Sequence, residues 1–435
     1  MKAMDKIIGY SNIKRELMRI SDRLKNREAY DRLGVSSPRG LLLYGAPGVG
    51  KSLMASAIIE ESGRKTYVCR KDKPNGDFVK FIKETFDKAS ANAPSIVFLD
   101  DMDKFANGDE RHPDAEEYVT VQSCIDEIKN RNKEVFVLAT VNNIHNLPHS
   151  LYRPGRFDRT IEIEAPHGKD AEAIIAHYLG NKKFVEGVDA KTIARIMDGH
   201  SCAELETVIN EAGLYAGYER AEYITMDHFM EACMRTIFDV SAPPISTSDL
   251  DSYNASDVMF SQIAYHEAGH AVASEILCPE SVTLICAYSK SGEDGGFTGY
   301  YFDRSTSPLN WAKSRIIASL AGMAAVEQVF GSYDIGNSRD LDQAFDYTKN
   351  LVVTNCICGL HLHKNDYEDS QHLWAAQEQA IASEVEKYYR KAKEILSSNR
   401  EFLDKLTSAL MQKGFLVMSD IKEIKESCNI TPVAL

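Results

Sequence analysis

The residues with the clearest capacity for chemistry are His266-Glu267-Ala268-Gly269-His270. Two imidazoles four positions apart on a helix point the same way, so His266 and His270 can share one Zn2+ ion. Glu267 beside them can take a proton from a water that attacks a peptide carbonyl. The spacing points to hydrolysis, and a helix that merely carries two histidines is the alternative for so short a pattern. A second group is Gly45-Ala46-Pro47-Gly48-Val49-Gly50-Lys51-Ser52. Its backbone N–H groups suit nucleotide phosphates, with Lys51 reaching the β- and γ-phosphates and Ser52 on Mg2+. Asp100-Asp101 ends an apolar run: Asp100 would orient Mg2+ and Asp101 would act on the attacking water. Asn142, after another apolar run, can contact the γ-phosphate. Three arginines in Arg153-Pro154-Gly155-Arg156-Phe157-Asp158-Arg159 read either as a solvated cluster or as a finger that stabilises phosphoryl-transfer charge in a neighbouring site.

Each group needs an element to position it. Apolar residues at helical spacing predict a helix from Val258 to Leu277 that carries the two histidines. Gly40 to Tyr44 reads as a buried strand and Leu53 to Ser62 as a helix, the context a phosphate loop requires. Ile96 to Leu99 and Val135 to Ala139 read as buried parallel strands whose carboxyl ends deliver Asp100, Asp101 and Asn142 to the ligand edge of a sheet. Ala171 to Leu179, Ala190 to Met197 and Ala203 to Tyr218 read as helices of a small lid, and Pro243-Pro244 among Ser, Thr and Asp marks a linker.

Beyond the histidines, Ser281 to Tyr288 reads as a strand. Gly292 to Tyr301, with Gly295, Gly296 and Gly299 among aromatics, reads as a strand edge where an extended peptide could add itself. Asn310 to Phe330 is a helix whose Ala318, Ala321, Gly322, Ala324 and Ala325 suit close packing. Gly331 to Arg339 reads as a loop, Asp340 to Thr354 as a helix, and the spacing of Ile381, Val385, Tyr388, Ala392 and Ile395 as an amphipathic helix that closes the domain. The expected limits are a nucleotide-binding domain over 1–166, a lid over 167–239, a linker over 240–256 and a peptidase domain over 257–435.

At 435 residues the chain exceeds one core, and 44% apolar with 26% charged residues are ordinary for a globular protein. A net charge of -14 argues against nucleic acid as the main partner. Nine scattered cysteines suggest a reducing compartment. No leader-like apolar segment and no run of eighteen apolar residues occurs, which predicts a soluble, cytoplasmic protein without an intrinsic membrane segment.

In their order along the chain, the phosphate loop, the acidic strand end, Asn142, the RPGRFDR segment and the HEAGH motif resemble the FtsH family of AAA+ ATP-dependent zinc proteases. The resemblance implies an α/β P-loop (AAA+) domain with a helical lid, followed by a mainly helical zinc metallopeptidase domain. It also implies a ring, usually hexameric, that unfolds protein substrates with ATP and cleaves them with zinc. By family pattern Arg156 and Arg159 are the arginine fingers, Gly9 and the region of Gly199 line the adenine site, and Asp340, in Gly336-Asn337-Ser338-Arg339-Asp340, is the third zinc ligand. Three features depart from the pattern. The family's membrane spans ahead of the ATPase are missing from this chain. Asp100-Asp101 stands where the family has Asp-Glu. The pore loop expected near Pro74-Asn75-Gly76-Asp77-Phe78 is not recognisable, and Phe78 is either its substitute or core.

Overall fold

The computed structural model of the chain describes residues 3–34, 38–72, 75–106, 115–131, 133–153, 155–180, 182, 188, 190–240, 258–288, 295–301, 309–332, 338–363 and 371–435, without the side chains of 75 and 76. The chain divides into two compact units, 1–224 and 225–435.

The first unit opens with helices α1 (Ser11–Lys25) and α2 (Arg27–Asp31) and then alternates strand and helix: β1 (Gly40–Tyr44), α3 (Lys51–Ser62), β2 (Lys65–Cys69), α4 (Asn75–Ala91), β3 (Ser95–Leu99), α5 (Glu116–Asn130), β4 (Val135–Val141) and β5 (Arg159–Glu162). The strands form one parallel sheet in the order β2-β3-β4-β1-β5. Leu41, Leu42 and Leu43 are fully buried because β1 has neighbours on both edges and packed faces on both sides. Helices α6 (Gly168–Leu179), α7 (Ala190–Ile196) and α8 (Cys202–Tyr218) follow, and a Ser201/Glu204 capping box opens α8. Neither β2 nor β5 is expected from the sequence: Lys65–Cys69 is a half-exposed edge strand with too few apolar positions to stand out.

The second unit comprises α9 (Met226–Thr236), α10 (Val258–Leu277), β6 (Val282–Cys286), β7 (Phe297–Tyr300), α11 (Leu309–Phe330), α12 (Ser338–Lys349), a π-helical turn at Asn350–Thr354, α13 (Gln371–Ser398), α14 (Arg400–Lys413), β8 (Phe415–Val417) and α15 (Met418–Glu426). The motif helix α10 has the limits its periodicity predicts and packs against α11 and α14. The small residues of α11 serve that contact: a Cβ on Gly269 of α10 would lie 2.6 Å from the carbonyl oxygen of Ala321. Helix α12 begins at Ser338, so Arg339 is helical rather than in a loop. The three short strands are antiparallel in the order β7-β6-β8, which leaves β7 at an edge.

Phe78 is fully buried and meets Phe105 edge-on, with ring centroids 4.8 Å apart, so of its two readings core is the correct one. Pro74, Pro154, Gly292, Gly336, Asn337 and the linker over 241–256 lie outside the described residues, as do the side chains of Asn75 and Gly76. Among the described residues no helix is long and apolar enough to cross a membrane.

Candidate functional site

In the second unit, α10 presents His266 and His270 one turn apart, with ring centroids 4.6 Å apart and planes nearly perpendicular. Asp340, near the start of α12, brings its Oδ2 to 3.1 Å from His266 Nε2 and 3.2 Å from His270 Nε2, and the two Nε2 atoms are 3.0 Å apart. Donors on one tetrahedral zinc, with bonds near 2.1 Å, stand about 3.4 Å apart, so the three atoms fit a single ion. Their protonation points the same way. His270 Nδ1 lies 2.7 Å from the carbonyl oxygen of Ala318, which can only accept, so Nδ1 carries a proton and Nε2 is the nitrogen turned to the triad. A carboxylate oxygen and two imidazole nitrogens converge there, an arrangement that a proton on Nε2 or a metal cation relieves. Burial opposes charging His270, yet Asp340 beside it brings the imidazole pKa up to about 9, the same pull that would favour a cation. Among the described residues, His266 Nδ1 is buried without a hydrogen-bond partner.

The backbone makes room for these rings. A Cβ on Gly322 of α11 would lie 2.6 Å from His270 Nε2 and 2.7 Å from His266 Nε2, so only glycine lets α11 close over the imidazole pair. Glu267 is 4% exposed, and burial raises its pKa. Thr298 of β7 donates to its Oε2 over 2.7 Å, a contact that no local pattern in the sequence marks. Tyr300, on the same face of β7, lies under the Arg315 guanidinium at 4.6 Å.

In the first unit, the phosphate loop runs from β1 into α3. Gly45 adopts φ +148°, and a Cβ there would fall 2.0 Å from the carbonyl oxygen of Ile163. Val49 is buried, whereas Ala46, Pro47, Gly48 and Ser52 are exposed and Gly50 (φ +97°) leads into α3. Lys51 Nζ donates to the carbonyls of Gly45 (2.7 Å) and Ala46 (2.8 Å), and burial lowers its pKa. At the ends of β3 and β4, Asp100 is 3% exposed, with Thr140 Oγ1 donating to its Oδ1 over 2.8 Å and Arg70 Nε to its Oδ2 over 2.9 Å. Asp101 sits at φ +52° with its carboxylate 2.8 Å from Lys104 Nζ. The Asn142 N–H donates to Asp103 Oδ2 over 3.1 Å, while Asp103 Oδ1 is buried without a partner among the described residues. No local pattern in the sequence marks Arg70 or Thr140, and Asp103 is signalled only by its place two positions after Asp101. Gly9 (φ +67°) lies against the Asp170 backbone, and Gly199 (φ +86°) precedes α8.

The two arginines differ. Arg156 is held within its own chain by Asp126 (2.8 Å), Gln122 (3.0 Å) and the carbonyl of Ser150 (2.6 Å), whereas Arg159 is exposed. Arg159 pairs with Leu41, three residues before Tyr44, so it sits about 10 Å down the sheet from the phosphate loop of its own chain.

Comparison with known proteins agrees with this two-part arrangement. Residues 41–165 match the ATPase family associated with various cellular activities (AAA), residues 187–231 the AAA+ lid domain, and residues 256–424 peptidase family M41. The chain is 32% identical to the ATP-dependent zinc metalloprotease FtsH of Mycoplasma pneumoniae over 99% of its own length and 63% of that protein. The Mycoplasma genitalium FtsH gives the same identity and the same shares. The FtsH of Caldicellulosiruptor bescii is 29% identical over 96% of this chain and 71% of that protein. The chain belongs to the FtsH family. As an FtsH-family chain it has an AAA domain with lid followed by an M41 peptidase domain, and it spans 63% of the length of the two Mycoplasma proteins.

Proposed function

We propose that this chain is an ATP-dependent zinc metalloendopeptidase that unfolds and degrades protein substrates, working as a ring of identical subunits in the cytoplasm. The observation that carries the reading is the convergence of His266, His270 and Asp340, with Glu267 beside them, in a chain that also has a P-loop between strand and helix. The three donors would hold zinc, which would supply Lewis acidity for peptide hydrolysis. Glu267 takes the proton of that water and returns it to the leaving amine. The edge of β7 that is unpaired among the described residues binds the substrate as an added strand, with backbone hydrogen bonds giving sequence-tolerant affinity.

In the ATPase part, the amides of the phosphate loop, from Gly45 through Ser52, and Lys51 hold the phosphates. Asp100 and Ser52 serve Mg2+, Asp101 orients the attacking water, and Asn142 faces the γ-phosphate. Gly9 contributes to the adenine site, while Arg159 and, once released from Asp126, Arg156 act on a neighbouring subunit's site. Residues 1–166, 167–239 and 257–435 are the working limits of ATPase core, lid and peptidase.

The test is degradation of an unfolded casein-type substrate and of a folded one by the full chain, with ATP, without ATP and with a zinc chelator. Chelation should stop both, and withdrawal of ATP should stop the folded substrate first. Cleavage indifferent to the chelator overturns the peptidase reading. ATP-driven unfolding without cleavage supports a remodelling ring instead.

A further inference from the structure

The start of β7 is pressed against Glu267. A Cβ on Gly296, just before the strand, would come 2.7 Å from Glu267 Cγ and 2.4 Å from the carbonyl oxygen of Cys286, so the backbone there lies directly on the stem of the glutamate. Two residues on, Thr298 Oγ1 donates to Glu267 Oε2 over 2.7 Å and lies 3.4 Å from the Glu267 carbonyl oxygen. Among the described residues no other side chain is hydrogen-bonded to that carboxylate. A glutamate has three side-chain torsions, and burial alone does not choose among their staggered wells. A short hydrogen bond to one oxygen does, and it leaves Oε1 to meet the water.

Resting on the peptidase reading, we propose that Thr298 is the positioning residue for the general base: its hydroxyl fixes the Glu267 carboxylate in the orientation that accepts the water's proton. Thr298 also belongs to the edge strand offered to substrate, so one strand sets both the line of the docked peptide and the aim of the base. Catalytic groups need sub-ångström placement, and a shift of about 1 Å can cost on the order of 10²-fold in rate. The hydroxyl touches neither the metal ligands nor the reacting atoms, so its removal acts on turnover rather than on binding.

The experiment compares Thr298→Val, which removes the hydroxyl at nearly constant volume, with Thr298→Ser, which keeps the hydroxyl and removes the methyl. Both are made in the full chain and assayed on a short fluorogenic peptide. Zinc content and the Kd for a non-cleavable peptide are measured alongside. Thr298→Val should lower kcat by roughly 10- to 100-fold with KM, zinc content and peptide Kd within about twofold of wild type, and Thr298→Ser should restore kcat to within about threefold. Should Thr298→Val fail to fold, Thr298→Ala, which only removes atoms, must show the same split between kcat and KM. An undiminished kcat in the hydroxyl-free variant overturns the proposal, as does a serine variant as slow as valine, since packing would then be the whole role. Absence of cleavage by the wild-type chain strikes the peptidase reading itself and is thereby distinguished from failure of the Thr298 proposal.

Discussion

At the scale of single residues, the two acids beside the imidazoles have separable tasks. Asp340 offers an oxygen at ligand distance from both imidazoles, so Asp340→Asn should lower zinc content and peptide cleavage together. Metal analysis showing full zinc retention with normal proteolysis would sink the ligand assignment. Glu267 is not one of the three converging donors, and its Oε2 accepts from Thr298, so Glu267→Gln should keep the metal and the ATPase while abolishing peptide hydrolysis. Survival of cleavage near the wild-type rate removes Glu267 as the base. Asp101 poses a different question, because an acid one methylene shorter than the family's glutamate draws its carboxylate back by about 1.5 Å. Its ion pair with Lys104 does not lock it in place: the two side chains are 32% and 64% exposed, and such pairs contribute only about 0–1 kcal/mol. Asp101→Glu should therefore speed ATP hydrolysis and degradation of folded substrates and leave short-peptide cleavage nearly unchanged. An ATPase rate that stays level or falls means the site is built around the shorter acid.

At the scale of elements, the metal-binding geometry depends on how closely α11 approaches α10. Gly322 is the contact point, and its replacement by alanine would put a methyl group within 2.7 Å of both imidazole Nε2 atoms. The rings must then swing apart or the helices separate. Gly322→Ala should weaken zinc binding by on the order of 10- to 100-fold, the scale of losses when the support of a ligand shell is disturbed. A competition titration with a chromophoric chelator measures this, and unchanged affinity would mean the helices slide at no cost. The sequence resolved the elements of the site unevenly. Helix α10 was legible to its end residues because its apolar spacing runs unbroken over twenty positions. Strands β2 and β5 were not, because each lies at a sheet edge, has a single buried residue and lacks the apolar run that marks β1, β3 and β4.

At the scale of the whole molecule, the proposed arginine fingers call for a second copy of the ATPase. Arg159 stands about 10 Å down the sheet from its own phosphate loop, and Arg156 is tied to Asp126, so neither is placed to reach a nucleotide bound in the same subunit. Light scattering with ATP present should report a ring. Arg159→Ala should lower ATP hydrolysis by roughly 10³-fold while nucleotide affinity is kept, since a finger acts on transition-state charge. A strict monomer that hydrolyses ATP at full speed contradicts this arrangement.

By itself the sequence determined whatever depends on neighbours along the chain: two histidines one helical turn apart, a phosphate loop between strand and helix, and acids at the end of a buried strand. Periodicity and steric rules act over a few residues, and these groups are a few residues wide. The tertiary structure decided what depends on faces meeting. It brought Asp340 to the imidazoles across 74 positions, and that residue was nameable beforehand only through a family resemblance. It set Thr298 on Glu267, 31 positions away, and Arg70 and Thr140 on Asp100, at 30 and 40 positions. It also turned Phe78 into the core beside Phe105 and bound Arg156 to its own subunit. Local spacing states which side of an element is apolar or reactive; which two sides come together is fixed by packing between elements distant in the chain, and no window of sequence contains both partners.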